Sequence, residues 1–112
     1  MKFKISENLP IKYTLTLHQA VPGYPTSTDF IFDVASHIVR VAEVKGKDWD
    51  PDDIKFSTKT LKYVFGDHIN DEIFMQSIKK ILTDLISSNT LIKKGEFIFI
   101  PNSEFSKYYL LA

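Results

Sequence analysis

Cysteine is absent from this 112-residue sequence, which excludes disulfides, thiolate nucleophiles and zinc sites built on cysteine ligands. Arginine is scarce, since Arg40 is the only arginine among fourteen basic residues. Because arginine makes the commonest base-specific contact to DNA, its scarcity weakens the case for sequence reading. The formal net charge is zero, and a neutral chain attracts a polyanion only if its charges are segregated by face.

A long hydrophobic run is also missing. Residues 1–17 carry lysines but no uninterrupted apolar block, so they match neither a secretory signal nor a membrane span. We therefore expect a cytoplasmic protein without a membrane partner. The length suits a single domain over residues 1–112 that buries one core.

Signatures of catalysis and of cofactor binding are weak. Asp48, Asp50 and Asp52 alternate like the ligands of a calcium loop, but the loop positions that need glycine and glutamate hold other residues. His68 lies between two aspartates, yet a lone histidine in a turn is more often a polar surface residue. No nucleophile elbow, phosphate loop or paired-glycine fingerprint occurs. We predict no enzymatic activity, no cofactor and no metal.

The sequence does contain a strand, two helices and a hairpin in close succession between residues 53 and 100. Ser57 and Asn70 each precede a helical pattern, and residues of these types accept hydrogen bonds from first-turn amides. The first of these helices is predicted over Thr58–Phe65, where it buries Leu61, Val64 and Phe65. The second is predicted over about Asp71–Ser88. One face of the second helix is apolar and carries Phe74, Ile78, Ile81, Leu82 and Leu85. On this face we expect Ile78, Leu82 and Leu85 to be buried in the core.

The opposite face of that helix is polar. It carries Glu72, Gln76, Lys79, Lys80, Thr83 and Ser87. Lys93 and Lys94 then precede Gly95, which supplies the positive φ of a tight hairpin turn, and Phe97–Ile100 forms the returning strand. Pro101 ends this strand because it has no N–H to donate.

The segment Leu82–Ile100, LTDLISSNTLIKKGEFIFI, resembles the recognition helix and wing of winged helix-turn-helix proteins. The resemblance covers roughly residues 29–100. It implies a first helix over Asp29–Val44 and a small strand over Ile54–Phe56 that pairs with the wing. Asn89 stands where many family members have glycine, but asparagine tolerates the same left-handed conformation. The resemblance therefore predicts an α+β fold of the winged helix-turn-helix type.

Further segments flank this predicted core. Residues 2–5 and 11–17 alternate polar and apolar side chains, so residues 1–28 are expected to form N-terminal strands and a loop. Residues 101–112 are expected to form a C-terminal element. Within it, Ser103–Leu111 is predicted as either a closing helix or a further strand.

The first helix is expected to follow a loop rich in proline and glycine, with Ser27 or Thr28 as its N-cap. Its apolar residues recur at helical spacing. They are Ile31, Val34, Ala35, Ile38 and Ala42.

Lysines along the second helix and the hairpin favour contacts to a nucleic acid backbone, because they neutralise phosphates without reading sequence. Gln76 is the side chain best suited to read a base edge. The predicted nucleic-acid-binding residues are Gln76, Lys79, Lys80, Thr83, Lys93 and Lys94. The leading hypothesis is a small DNA-binding protein of regulatory or replication-accessory type. It would contact double- or single-stranded DNA through helix 70–88 and the wing at 92–97.

A protein partner is the alternative, because a neutral chain without arginine on its recognition helix also suits protein contacts. Such a chain would be an adaptor or inhibitor, for example one encoded by a phage or mobile element, that docks on an enzyme or a replication factor. A homodimer is compatible with either function. In a third interpretation, the lysines are merely solvated.

The strand Phe97–Ile100 alternates phenylalanine and isoleucine, so one pair should face the core and the other the surface. Outward Phe97 and Phe99 beside Tyr108 or Tyr109 would stack on unpaired bases. The simpler interpretation, which we favour, places these rings in the core or at a dimer interface.

Overall fold

The computed structural model describes residues 3–6, 26–46 and 54–111, and all structural statements concern these residues. They form an α+β arrangement of helices and two small antiparallel sheets. In chain order the elements are β1 (Phe3–Ile5), α1 (Ser27–Lys45), β2 (Lys55–Phe56), α2 (Leu61–Phe65), α3 (Glu72–Ser87), β3 (Ile92–Lys94), β4 (Phe97–Phe99), α4 (Asn102–Phe105) and β5 (Tyr109–Leu111). Two 3-10 turns flank α2, namely Thr58–Thr60 and Gly66–Asn70. Over the same ranges, no helix is long and apolar enough to cross a membrane.

Helix α1 begins with a reciprocal cap between Thr26 and Asp29. The Asp29 N–H donates to Thr26 Oγ1 at 3.2 Å, and the Thr26 N–H donates to Asp29 Oδ2 at 3.1 Å. This capping box gives partners to two amides that helix formation leaves unpaired. The predictions of Ser27 or Thr28 as the cap are therefore wrong, because Thr26 is the residue with a carboxylate three positions further on. At the other end, Gly46 takes the left-handed conformation with φ of 61°.

Burial of α1 extends beyond its predicted apolar face, all five residues of which are buried. Phe30 and Phe32 are completely buried as well. The Phe30 ring lies 6.1 Å from the Phe56 ring of β2, whereas the Phe32 ring stacks 6.3 Å from the Tyr109 ring of β5. The Tyr109 hydroxyl also lies 2.7 Å from the Ser36 hydroxyl, within the core. Helix α1 thus packs against both sheets and is the centre of the core.

The larger sheet has the strand order β2-β4-β3, with both pairings antiparallel. The predicted pairing of the small strand with the hairpin is confirmed, since Lys55 lies opposite Phe99 and Phe56 opposite Ile98. The hairpin turns at Gly95, whose φ of 63° matches the predicted left-handed position.

The smaller sheet pairs β1 with β5. The N-terminal strand predicted within residues 2–5 is therefore confirmed as Phe3–Ile5. Both alternatives for the C-terminal element occur, because the short helix α4 precedes the strand β5. The strand predicted over 11–17 and the aspartate-rich turn at 48–52 lie outside the described residues.

Helix α3 is capped one residue later than predicted. Asp71 Oδ1 accepts hydrogen bonds from the N–H groups of Ile73 at 2.9 Å and Phe74 at 3.1 Å. Asn70 is not the cap, because it ends the preceding 3-10 turn. After α3, Asn89 adopts a φ of 61°, the left-handed conformation expected of it.

The apolar face of α3 is only partly as predicted. Phe74, Ile78 and Leu85 are buried, whereas Ile81 and Leu82 are half-buried. The prediction of Leu82 as a fully packed core residue is wrong, because it lies on the flank of the helix that faces the hairpin. That flank borders the candidate site.

The helix predicted over Thr58–Phe65 is in fact a 3-10 turn followed by the short helix α2. Ser57 precedes the turn as predicted, but its N–H donates to Thr60 Oγ1 at 3.3 Å. Leu61 and Phe65 are buried as expected, while Val64 is half-buried.

Candidate nucleic-acid interface

The polar face of α3 is exposed along its whole length. Its middle turns carry Gln76, Lys79, Lys80 and Thr83, all of them exposed. Residues three and four apart are neighbours on a helix surface, so these four side chains form one contiguous patch. This patch contains every helix residue predicted to contact a nucleic acid.

Thr83 uses its hydroxyl proton within the helix. Its Oγ1 donates to the Lys79 carbonyl at 2.8 Å. A hydroxyl has one proton to donate, so Thr83 offers a ligand only acceptor lone pairs in this rotamer. Phosphate oxygens are acceptors, and Thr83 is therefore the weakest of the predicted contacts.

The lysines on the polar face of α3 and on the inner face of the hairpin form no ion pairs with carboxylates of the described residues. Among the described residues, Lys79, Lys80 and Lys93 have no carboxylate within ion-pair distance. Lys107 differs, because its Nζ lies 3.0 Å from Glu104 Oε1. An unpaired ammonium that binds a phosphate releases counterions from the nucleic acid, which drives association.

Lys93 and Lys94 point to opposite faces of the larger sheet. Lys93 lies opposite the buried Ile98, whereas Lys94 lies opposite the exposed Phe97. Directly opposed residues of an antiparallel pair share a face. Lys93 therefore belongs to the inner face, which packs toward the core and α3, and Lys94 to the outer face.

A cleft of about 260 Å³ separates α3 from the hairpin. Leu82 and Ile86 of α3 line one side, and Lys93 lines the other. Lys59, in the turn before α2, and Glu96, in the hairpin turn, also line it. We call this cleft together with the polar face of α3 the α3 surface.

The outer face of the sheet carries an aromatic pair, so of the two locations that we favoured, the core is wrong for Phe97 and a dimer interface stays a prediction. Phe97 is 37% exposed and Phe99 is half-buried, because the neighbouring isoleucines of the strand take the core positions. Tyr108 and Tyr109 are buried as the favoured interpretation expected, so they are absent from this face.

Two lysines lie over these exposed rings. Lys55 Nζ is 4.9 Å from the Phe97 ring centroid and 5.5 Å from the Phe99 centroid. Lys94 Nζ is 5.5 Å from the Phe99 centroid. We call these four residues the Lys–Phe face. Sequence reasoning missed Lys55, although strand alternation together with the β2–β4 pairing would have identified it.

The single arginine lies on α1 and not on α3. The Arg40 guanidinium donates to His37 Nδ1 at 3.2 Å, and the His37 ring stacks 6.4 Å from the Tyr63 ring. Burial, together with the positive charge of Arg40, lowers the pKa of His37. Base reading by arginine is thus not a property of the α3 surface.

His68 is exposed in the turn before α3, with its ring 5.3 Å from the Phe74 ring. Across the described ranges, no three histidine, aspartate or glutamate side chains are grouped in a way that could hold a metal ion. The Asp48–Asp52 turn is not among those ranges.

Comparisons with protein-family models, with curated proteins and with solved structures find no match to this chain. What the molecule does must therefore be inferred from its own residues.

Proposed function

We propose that this chain is a winged helix-turn-helix protein of regulatory or replication-accessory type that binds DNA. In this assignment α3 is the recognition helix and the β3–β4 hairpin is the wing. The succession of α1, β2, α2, α3 and the hairpin supports it. The sheet order β2-β4-β3 adds support, because the small strand after the first helix pairs with the wing.

The observation that carries the proposal is the set of lysines on the α3 surface. Lys79 and Lys80 project from the exposed face of α3, and Lys59 and Lys93 line the adjoining cleft. A chain with no net charge attracts a polyanion only where lysines are in local excess. Here the four lysines outnumber the two nearby carboxylates, those of Asp84 on α3 and Glu96 in the cleft. These four lysines contact phosphates and provide affinity for any sequence.

The N-terminal end of α3 is unsuited to phosphate. Asp71 caps it and Glu72 lies in its first turn, so two carboxylates stand where a bare helix end would attract an anion. The duplex is therefore contacted by the middle turns of α3. There Gln76 is the side chain that reads a base edge, with adenine as its best match.

The experiment is a fluorescence anisotropy titration of labelled duplex DNA at several salt concentrations. The double variant Lys79→Ala/Lys80→Ala should weaken binding to all duplexes alike. It should also reduce the salt slope by about 0.9 per lost phosphate contact. Gln76→Ala should instead change the preference between sequences.

A matched control comes from Lys107, which is exposed and paired with Glu104 on another part of the surface. Lys107→Ala removes one charge and should leave duplex binding unchanged. If the α3 variants lose no more affinity than this control, or if no duplex binds at low salt, the proposal fails.

A protein adaptor or inhibitor is the second candidate, and one observation favours it. Ile73 is a large apolar side chain on α3 that is 64% exposed. A phosphate would gain nothing from contact with it, whereas an apolar side chain of a protein partner could pack against it. If DNA fails to bind at low salt, an affinity pull-down should recover a partner that Ile73→Asp no longer retains. Recovery that is the same for both proteins would contradict the adaptor function.

A further inference from the structure

The outer face of the larger sheet is a second surface, built from different residues than the α3 surface. Strand alternation puts Phe97 and Phe99 on it, and the register brings Lys94 and Lys55 beside them. We infer that this Lys–Phe face binds single-stranded nucleic acid, with unpaired bases stacked on the phenylalanine rings and phosphates bound by the lysines.

Phe97 is the more accessible of the two rings on this side of the sheet. It is 37% exposed, and the Lys55 ammonium lies 4.9 Å from its ring centroid. Phe99 lies between Lys55 and Lys94, whose ammonium groups are each 5.5 Å from its centroid. Exposed phenylalanines in a strand are costly in water, so a ligand that covers them gains apolar burial.

The lysines make the same face suitable for an anionic chain. An ammonium over an exposed ring gains only a weak cation–π interaction. A base that stacks on Phe97 displaces Lys55 from the ring, and the freed ammonium is then near the phosphates on either side of that base. Glu96, the carboxylate of the hairpin turn, lines the cleft on the other side, so it does not oppose this binding.

The arrangement fits single strands better than a duplex or a second protein. Bases in a duplex already stack on one another, so their π-faces cannot reach Phe97 and Phe99. A protein interface over these rings would need carboxylates of the partner beside both Lys55 and Lys94, because burying unpaired ammonium groups carries a high desolvation cost. Phenylalanine has no hydrogen-bonding group, so the strand is bound with little sequence preference.

The test compares strands that carry the same backbone charge. Labelled deoxythymidine and uridine strands and an abasic strand of equal length are titrated by anisotropy into the full chain. The wild-type protein should bind the strands with bases more tightly than the abasic strand by about tenfold or more. The variant Phe97→Leu/Phe99→Leu, which keeps apolar side chains but lacks planar rings, should lose that difference.

A second measurement uses only the wild-type protein, so it is valid even if the Phe97→Leu/Phe99→Leu variant does not fold. Strands with 5-iodouracil are irradiated with the wild-type protein, and the cross-linked peptide is sequenced by mass spectrometry. Cross-links at Phe97 or Phe99 are expected. Cross-links confined to other segments, or equal affinity for abasic and base-containing strands, would overturn the inference.

The outcome is separable from that of the proposed function, because the two surfaces share no residue. Lys79→Ala/Lys80→Ala should weaken duplex binding while the preference for bases over the abasic strand persists. Loss of duplex binding in that variant, with no base preference in the wild type, would leave the proposed function standing and reject the Lys–Phe face. The reverse pattern would reject the α3 surface alone.

Discussion

The two faces of the β3–β4 hairpin differ in what covers them. On the inner face, Ile98 is buried and Lys93 lines the cleft beside α3. On the outer face, Phe97 is exposed and Lys94 lies near the Phe99 ring. Two adjacent lysines thus belong to two surfaces. One surface presents lysines together with a helix, and the other presents lysines together with aromatic rings.

Two adjacent lysines in a strand, such as Lys93 and Lys94, therefore do not form one functional unit. Alternation makes neighbouring side chains diverge, so their roles are set by what packs on each face. For Lys93 the relevant neighbours are Leu82 and Ile86 of α3, while for Lys94 they are the rings of its own sheet. A variant that replaces both lysines at once could not show which of the two surfaces is responsible for a change in binding.

Truncating side chains on the two faces of the hairpin should change the free energy of unfolding by different amounts, and this is the greatest change that we predict. Ile98→Ala removes a buried side chain from the core and should lower the free energy of unfolding by about 2–5 kcal/mol. Phe97→Ala on the outer face should cost less than Ile98→Ala, since Phe97 is 37% exposed and its truncation leaves no closed cavity. Urea denaturation monitored by circular dichroism measures both. Equal losses would contradict this difference between the faces, and a larger loss for Phe97→Ala would mean that they are assigned the wrong way round.

A smaller effect concerns the helix that borders the inner face. Asp71→Ala removes the acceptor of two first-turn amides of α3 and should cost about 1 kcal/mol. Asn70→Ala, one residue earlier, is the matched control and should be nearly neutral. Urea denaturation measures the free energy of unfolding of both variants. A greater loss for Asn70→Ala would mean that Asn70, the residue predicted from the sequence, is the N-cap after all.

The smallest effect lies away from both faces, at His37 on α1. Its pKa is lowered by burial and by Arg40, so the unfolded chain binds the proton more tightly than the folded one. The stability that this group contributes is full above its ordinary pKa of 6.5 and declines as the pH falls below that value. His37→Gln should show a weaker loss of melting temperature on acidification than the wild type.

His37→Gln should also leave duplex affinity unchanged, since His37 belongs neither to the α3 surface nor to the Lys–Phe face. A pH trend shared by His37→Gln and the wild type would contradict the assignment.

The parts of the fold that could be predicted are those determined by local sequence. The polar face of α3 follows from helical spacing, and the hairpin turn follows from Gly95, which needs a positive φ. The pairing of the small strand with the hairpin followed from the family resemblance, which supplied a tertiary contact that spacing alone does not contain.

The parts that could not be predicted depend on contacts between distant segments. Lys55 joins the Lys–Phe face only because β2 pairs with β4 in one particular register. Phe30 and Phe32 are both buried because two strands far apart in the sequence, β2 in the middle of the chain and β5 near its C-terminus, pack against α1. Helical periodicity cannot predict this, since it allows one buried face and not two. Leu82 likewise shows its partial exposure only once the hairpin is in position.

We propose that the α3 surface binds duplex DNA through Lys93 and not through Lys94. The most direct test is the salt dependence of duplex affinity for Lys93→Ala and Lys94→Ala, measured side by side by anisotropy. Both variants lose one charge from the same strand, so the net charge is matched. We predict that Lys93→Ala reduces the salt slope by about 0.9, one phosphate contact, while Lys94→Ala keeps the wild-type slope. Equal slopes for the two variants, or a reduction for Lys94→Ala alone, would contradict the account.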